Sequence, residues 1–221
     1  MKLMMQALTK FLAGVLLVGL LLFAPAGDIG WWNGWLFMGI LFGPMILLGV
    51  ALLVKAPELL RKRLNAKETQ AEQKKVVGLS ALVFLLGFVL AGLDARFGWS
   101  VMPAWLPAAA AVVQLAAYGL YAEVMRENAY LSRTIEVQAG QKVIDTGLYG
   151  VVRHPMYAAT VLLFLAMPLV LGSWVAFVVF LGYPALIVKR IRNEEAVLAE
   201  GLAGYSEYCQ KVRWRLMPFV W

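Results

Sequence analysis

Residues 31–54 read WWNGWLFMGILFGPMILLGVALLV, a stretch without a single charged side chain. In hydrocarbon, every backbone amide needs a hydrogen-bond partner inside the protein, and a helix supplies these partners within one segment. A bilayer core about 30 Å thick needs roughly 20 helical residues to cross it. The stretch therefore predicts a membrane-spanning helix.

Similar apolar runs follow along the chain. Its 221 residues are 62% hydrophobic and only 15% charged, a composition foreign to soluble domains. Six spans are predicted: Phe11 to Ala24, Trp31 to Val54, Val76 to Leu93, Val101 to Tyr121, Met156 to Leu171 and Trp174 to Val188. Only Gly172 and Ser173 separate the last two, which indicates a tight hairpin. The predicted fold class is an all-α integral membrane protein with about six transmembrane helices and a cytoplasmic C-terminal tail.

The distribution of basic residues predicts the orientation of these spans. All but one of the 20 lysines and arginines fall on one side of the membrane, and Arg96 is the exception. Because short cytoplasmic loops are enriched in Lys and Arg, both termini are expected to be cytoplasmic. Six tryptophans fall at the opposite helix ends, as expected of a headgroup layer: Trp31, Trp32, Trp35, Trp99, Trp105 and Trp174. We expect the bacterial inner membrane as the location.

The formal net charge of +7 follows from this topology. Binding of nucleic acid would call for a soluble basic face, which the sequence does not offer. Membrane lipids are therefore the expected surroundings and no nucleic-acid partner is predicted. The oligomeric state is left open.

The chain divides into two parts of different character. Residues 1–122 are predicted to be a four-helix transmembrane scaffold, whose charged loop from Arg61 to Lys75 is interpreted as a solvated helical connector, with a substrate role as the less favoured alternative. Residues 123–221 are predicted to be a catalytic half with an interfacial loop, a helical hairpin and a cytoplasmic tail. Within that loop, residues 134–144 favour either a small extended hairpin or an ordered loop.

The first polar cluster is TGLYGVVRHPMY, residues 146–157, which leads directly into the fifth span. Pro155 suits the first turn of a helix, where its missing amide hydrogen costs nothing. Arg153 and His154 can be the ordinary polar start of a membrane helix. Alternatively, the partial positive charge of the helix N-terminus favours a carboxylate or phosphate of a ligand at this point.

The second polar cluster is KRIRNEE, residues 189–195, which follows the sixth span. If that helix continues past Val188, Arg190 and Glu194 lie four residues apart on one face. An exposed helical ion pair is one interpretation of this spacing. A tight hairpin, however, returns the chain to the face it left, so the two clusters are expected to meet at one cytoplasmic mouth.

With its polar motifs in this order along the chain, the second half resembles the isoprenylcysteine carboxyl methyltransferase family of membrane methyltransferases. It resembles the phospholipid N-methyltransferases more distantly. The pieces that carry the resemblance span about residues 128–221: Gly147-x-Tyr149, Arg153-His154-Pro155-x-Tyr157, Arg190-x-x-x-Glu194-Glu195, Leu198 and Tyr205-x-x-Tyr208. One departure is Leu202-Ala203-Gly204, where relatives often carry a Phe-Gly pair.

The resemblance implies S-adenosylmethionine as the cofactor, held between the hairpin and the tail. It implies cofactor-binding roles for Tyr149, Arg153, His154, Pro155, Tyr157, Glu194 and Glu195, and catalytic roles for Arg190 and Glu194. The substrate would be a lipophilic small molecule that carries a carboxylate, a thiol or an amine, and no metal is expected.

Two other functions compete with this one. Membrane sterol reductases have a similar C-terminal half and use NADPH, although they need room and basic residues for its 2′-phosphate. A small transporter or membrane interaction protein is the second rival, but transport favours ionisable residues within the spans.

Overall fold

The computed structural model describes residues 2–65, 71–132 and 134–221. Helices make up 75% of it, and the described residues contain no strand. The all-α prediction is therefore confirmed, and residues 134–144 adopt the second predicted alternative, an ordered loop. Two of the basic residues that are predicted to be cytoplasmic, Lys67 and Arg133, lie outside the described residues. The middle of the predicted connector lies outside them as well.

Nine α-helices and one 3-10 turn follow one another in the described residues: α1 Lys2–Ala26, α2 Trp32–Lys55, α3 Pro57–Leu64, α4 Ala71–Phe97, α5 Trp105–Glu127, the 3-10 turn Gly147–Gly150, α6 Pro155–Val170, α7 Trp174–Phe180, α8 Gly182–Gly201 and α9 Tyr205–Lys211.

Among the described residues, five segments are long and apolar enough to cross a membrane: Lys2–Ala26, Trp32–Lys55, Glu72–Phe97, Trp105–Glu127 and Trp174–Gly201. The predicted span Met156 to Leu171 corresponds to α6, which has only 16 residues. Helix α8 continues to Gly201, well beyond Val188, so the condition for a shared face of Arg190 and Glu194 is met. The break between α7 and α8 has a local cause, because Pro184 offers no amide hydrogen to the carbonyl of Phe180.

Large apolar side chains face outward along the long helices. Examples are Leu16, Leu47, Val112 and Val178, all strongly exposed. In water an apolar surface of this extent would drive association. Its place along helices of spanning length indicates lipid as the solvent.

The interior is held by close helix contacts and by aromatic rings. Gly92 of α4 lies so close to the backbone of Leu22 in α1 that a Cβ would collide with its carbonyl oxygen. Helix α6 packs mainly against α5. It also contacts α8, where the rings of Phe164 and Tyr183 have centroids 4.8 Å apart.

The two ends of the bundle differ chemically. At the tryptophan end, which carries the six tryptophans named above, buried Asp94 accepts hydrogen bonds from the hydroxyls of Ser100 and Ser173, at 2.5 Å each. These bonds join α4 to the turn that follows α6. The opposite, basic end contains α3, the start of α4, the interfacial loop, α9 and the tail. Lys10 also belongs to it, since its Nζ donates to the carbonyl of Leu64.

The orientation of these ends can be measured by cysteine labelling in a Cys209→Ser background. We expect Val101→Cys, at a position 89% exposed at the tryptophan end, to react with a membrane-impermeant maleimide in intact cells. Glu200→Cys, exposed at the basic end, should react only after the membrane is opened. The reverse pattern would contradict a cytoplasmic tail.

The contact between α1 and α4 can be tested with two glycines of one helix. Gly92→Ala should lower the melting temperature in detergent, because overpacking costs about 1–3 kcal/mol. The matched control is Gly78→Ala, since nothing lies within 4 Å of a Cβ at Gly78. Alanine favours a helix over glycine by about 1 kcal/mol, so the control should be neutral or stabilising. Equal melting temperatures for the two variants would refute the tight contact.

Candidate active site at the basic end

The two polar clusters meet where the start of α6 contacts α8. The hydroxyl of Tyr157 donates to Glu194 Oε2 at 2.5 Å and accepts from Arg190 Nε at 2.9 Å. The Arg190 guanidinium also lies over the Tyr157 ring, with its central carbon 6.0 Å from the ring centroid. Arg190 and Glu194 are thus anchored to α6 by a single phenol.

The turn before α6 depends on a glycine. Gly147 adopts a φ of 53° and lies against the carboxylate of Glu127, which a Cβ at this position would overlap. That carboxylate accepts from the amide of Leu148 at 3.0 Å, so the end of α5 caps the 3-10 turn. The 3-10 turn positions Tyr149, whose hydroxyl accepts a hydrogen bond from Asn128 Nδ2 at 3.0 Å.

Glu195 lies in a separate ion cluster on α8. Its carboxylate contacts Arg153 Nη1 at 3.0 Å, His154 Nε2 at 3.3 Å and Arg215 Nε at 2.7 Å. The carboxylate is largely buried, as are Arg153 and His154. This cluster therefore joins α8, the start of α6 and the tail.

The tail also occupies backbone groups at the start of α6. The amide of Arg153 donates to the carbonyl of Trp214 at 2.8 Å, and the amide of His154 donates to the carbonyl of Arg215 at 2.9 Å. These two amides are consequently not available to an anionic ligand. Side chains, rather than these backbone groups, have to provide the polar contacts of any ligand here.

A pocket with a cavity volume of about 110 Å³ opens beside these clusters, and its mouth is open to solvent. Of the predicted site residues, six line it: Tyr149, Arg153, His154, Tyr157, Arg190 and Glu194. Pro155 and Glu195 are not among its lining residues. Pro155 begins α6, as its sequence context predicts.

Much of the pocket wall comes from side chains that were not among the predicted site residues. The interfacial loop contributes side chains such as Glu136, Lys142 and Val143, and α9 contributes Tyr205 and Tyr208. The loop is ordered by long-range bonds, including one from Lys62 Nζ of α3 to Gln138 Oε1 at 2.6 Å. Such bonds have no signature in the local sequence.

Several polar atoms of the pocket residues are buried. The Tyr205 hydroxyl and Arg153 Nε have no hydrogen-bond partner among the described residues. Burial raises the pKa values of Tyr149, Tyr205 and Tyr208, so all three phenols stay protonated at neutral pH. The Tyr208 hydroxyl donates to the carbonyl of Tyr149 at 2.7 Å, whereas that of Tyr205 is a donor available to a ligand.

One further site residue comes from the first half of the chain. Gln73 of α4 is completely buried, and its Oε1 accepts from Arg190 Nη1 at 3.0 Å. The interpretation of Arg61 to Lys75 as a solvated connector does not hold at this residue. The available signal was helical spacing, since Gln73 lies three residues before the buried Val76.

Comparison with known proteins agrees with the resemblance seen in the sequence. Residues 108–200 match the model of the isoprenylcysteine carboxyl methyltransferase family. The Delta(14)-sterol reductase of Mus musculus is 32% identical over 91 residues, which cover 40% of this chain and 22% of the reductase. The match thus spans less than a quarter of that relative. The family match runs from α5 to α8.

The ion cluster at Glu195 is expected to stabilise the folded protein and to hold its tail in place. Glu195→Gln should lower the melting temperature and expose the tail to protease, because removing one partner of a buried ion pair costs about 3–5 kcal/mol. The control is Glu58→Gln, which removes a pair with Arg61 in which the Glu58 side chain is 72% exposed. That pair is expected to contribute at most about 1 kcal/mol. Similar behaviour of both variants would show that Glu195 does not fasten the tail.

Proposed function

From its kinship with the isoprenylcysteine carboxyl methyltransferase family, we propose that this membrane protein transfers a methyl group from S-adenosylmethionine to a lipophilic acceptor. The observation that carries the proposal is the pocket at the basic end, where Tyr157, Arg190 and Glu194 meet within the part of the chain that matches the family. The reaction would take place at the cytoplasmic face of the membrane.

The residues of the pocket fit this methyl donor. Its sulfonium and amino group are positively charged, and Glu194 and Glu136 provide carboxylates at the pocket wall. Its carboxylate, ribose and base need hydrogen-bond donors and apolar surface. The free Tyr205 hydroxyl and the buried Arg153 Nε are such donors, and Val143, Leu198 and Leu202 among others supply the apolar surface.

When bound, S-adenosylmethionine supplies a methyl group on a positively charged sulfur. The protein chiefly has to align the acceptor with that carbon, because the transfer is an in-line displacement. Arg190 suits this task, since bonds to Tyr157 and Gln73 fix its guanidinium. A fixed guanidinium orients an anionic acceptor by paired hydrogen bonds. A carboxylate or thiolate acceptor then needs no general base, whereas a protonated amine would.

Two routes of access follow from the position of the pocket. The water-soluble donor can enter from the aqueous side, between the interfacial loop and α9. A lipophilic acceptor can reach Arg190 from the bilayer, between helices. This arrangement keeps the charged donor out of hydrocarbon, where burial of an unpaired charge is costly.

The second candidate is an NADPH-dependent reductase. The partial similarity to a sterol reductase favours it, and Lys142, Arg153 and Arg190 place basic groups at the pocket wall for a phosphate. Saturable binding of NADPH without binding of S-adenosylhomocysteine would select this function. If the protein binds neither NADPH nor S-adenosylhomocysteine, a transport or interaction role is favoured instead.

Purified protein is therefore expected to bind S-adenosylhomocysteine in calorimetry and to methylate a lipophilic acid with tritiated S-adenosylmethionine. Arg190→Ala should reduce turnover by about 100-fold or more, as expected when a group that positions the reacting centre is removed. Glu195→Ala should also abolish turnover, because it releases Arg153 and His154. The control is Arg96→Ala at the tryptophan end. Near-normal turnover in both site variants would remove the assignment.

A further inference from the structure

Gln73 of α4 contacts Arg190, one of the residues that line the pocket. Its side chain is 0% exposed, and Oε1 accepts from Arg190 Nη1. The neighbouring residues of both helices are paired as well, because Lys189 Nζ contacts Glu72 Oε2 at 3.1 Å. Two consecutive pairs therefore fix the register of α4 against α8 and bring the Gln73 amide to Arg190.

The amide nitrogen of Gln73 has no such partner. Within the part of the chain that the structure describes, no atom accepts a hydrogen bond from Nε2. A buried amide donor without an acceptor is destabilising. Since Oε1 accepts from Arg190, the amide group of Gln73 is held beside that guanidinium while its Nε2 keeps two unused N–H donors.

The position of Arg190 shows which ligand group these donors can reach. Its guanidinium lines the pocket, contacts Tyr157 of α6 through Nε and contacts Gln73 of α4 through Nη1. A methyl acceptor bound by Arg190 would therefore share that guanidinium with the Gln73 amide. Two donors, one of them charged, favour a group with oxygen lone pairs and disfavour an ammonium group.

We propose that Gln73 is a substrate-contacting residue: its Oε1 fixes the Arg190 guanidinium and its Nε2 donates a hydrogen bond to the methyl-accepting group of the lipophilic substrate. This inference rests on the proposed methyltransferase function and extends its site into the first half of the chain. It assigns acceptor selectivity partly to α4, outside residues 108–200.

Two substitutions separate the functions of the two amide atoms. Gln73→Met removes both hydrogen bonds at similar volume, whereas Gln73→Glu keeps an oxygen for Arg190 and removes the donor. The matched control is Gln114→Met, because Gln114 of α5 is equally buried and both of its amide atoms are without partners among the described residues. Full-length proteins in nanodiscs are compared for S-adenosylhomocysteine binding and for methylation of an S-prenylated cysteine acid, with endogenous membrane lipids as a second acceptor source.

We expect both Gln73 variants to bind S-adenosylhomocysteine within about twofold of wild type, since the donor pocket is unchanged. Their kcat/KM for the acid should fall about tenfold to 100-fold, mainly through the KM for the acceptor, as for the loss of a hydrogen bond to a charged group. Gln114→Met should match wild type.

Three other results would each contradict a specific part of the inference or of the proposed function. If Gln73→Glu restores wild-type KM for the acceptor, Gln73 only positions Arg190 and donates nothing. If Gln73→Met equals Gln114→Met while wild type is active, the inference about Gln73 fails and the proposed function stands. If wild type neither binds S-adenosylhomocysteine nor methylates either acceptor source, the proposed function itself fails and the inference with it.

Discussion

The Glu195 carboxylate is in contact with side chains from two other parts of the chain. Arg153 and His154 reach it from the start of α6, and Arg215 reaches it from the tail. A carboxylate this poorly exposed to water is stable only with partners of opposite charge and good geometry. Because the same contacts bring α8 against the start of α6, the approach of Tyr157 to Arg190 and Glu194 depends on them.

The surrounding hydrocarbon explains why this chemistry lies at one end of the bundle. A bilayer offers no water to unpaired polar groups, so charged residues are placed at helix ends or bonded within the protein. Asp94 shows the second solution, since serine hydroxyls satisfy it at the tryptophan end. At the basic end, Arg190 bonds to Tyr157 and Gln73 and lines a pocket that opens towards solvent.

The region shared with known proteins is smaller than the site. Residues 108–200 contain α6 and α8 with their polar clusters, but the match ends before Tyr205 and Arg215 and begins after Gln73. The methyltransferase family model matches this region, and the sterol reductase matches 40% of the chain. The side-chain contacts of the two polar clusters are therefore completed by α4 and the tail, and the pocket wall is completed by α9.

Sequence alone determined the helical membrane fold, because apolar runs of spanning length permit few other structures in lipid. Ordered motifs in the sequence also predicted site roles for Tyr149, Arg153, His154, Tyr157, Arg190 and Glu194, and these six residues line one pocket. Tertiary structure alone decided that Glu195 joins the tail to α6, that Gln73 reaches Arg190, and that the interfacial loop forms a pocket wall. The physical reason is that each of these contacts joins residues far apart in the chain: helical spacing can place a residue such as Gln73 on a buried face, but it does not determine which distant residue that side chain meets.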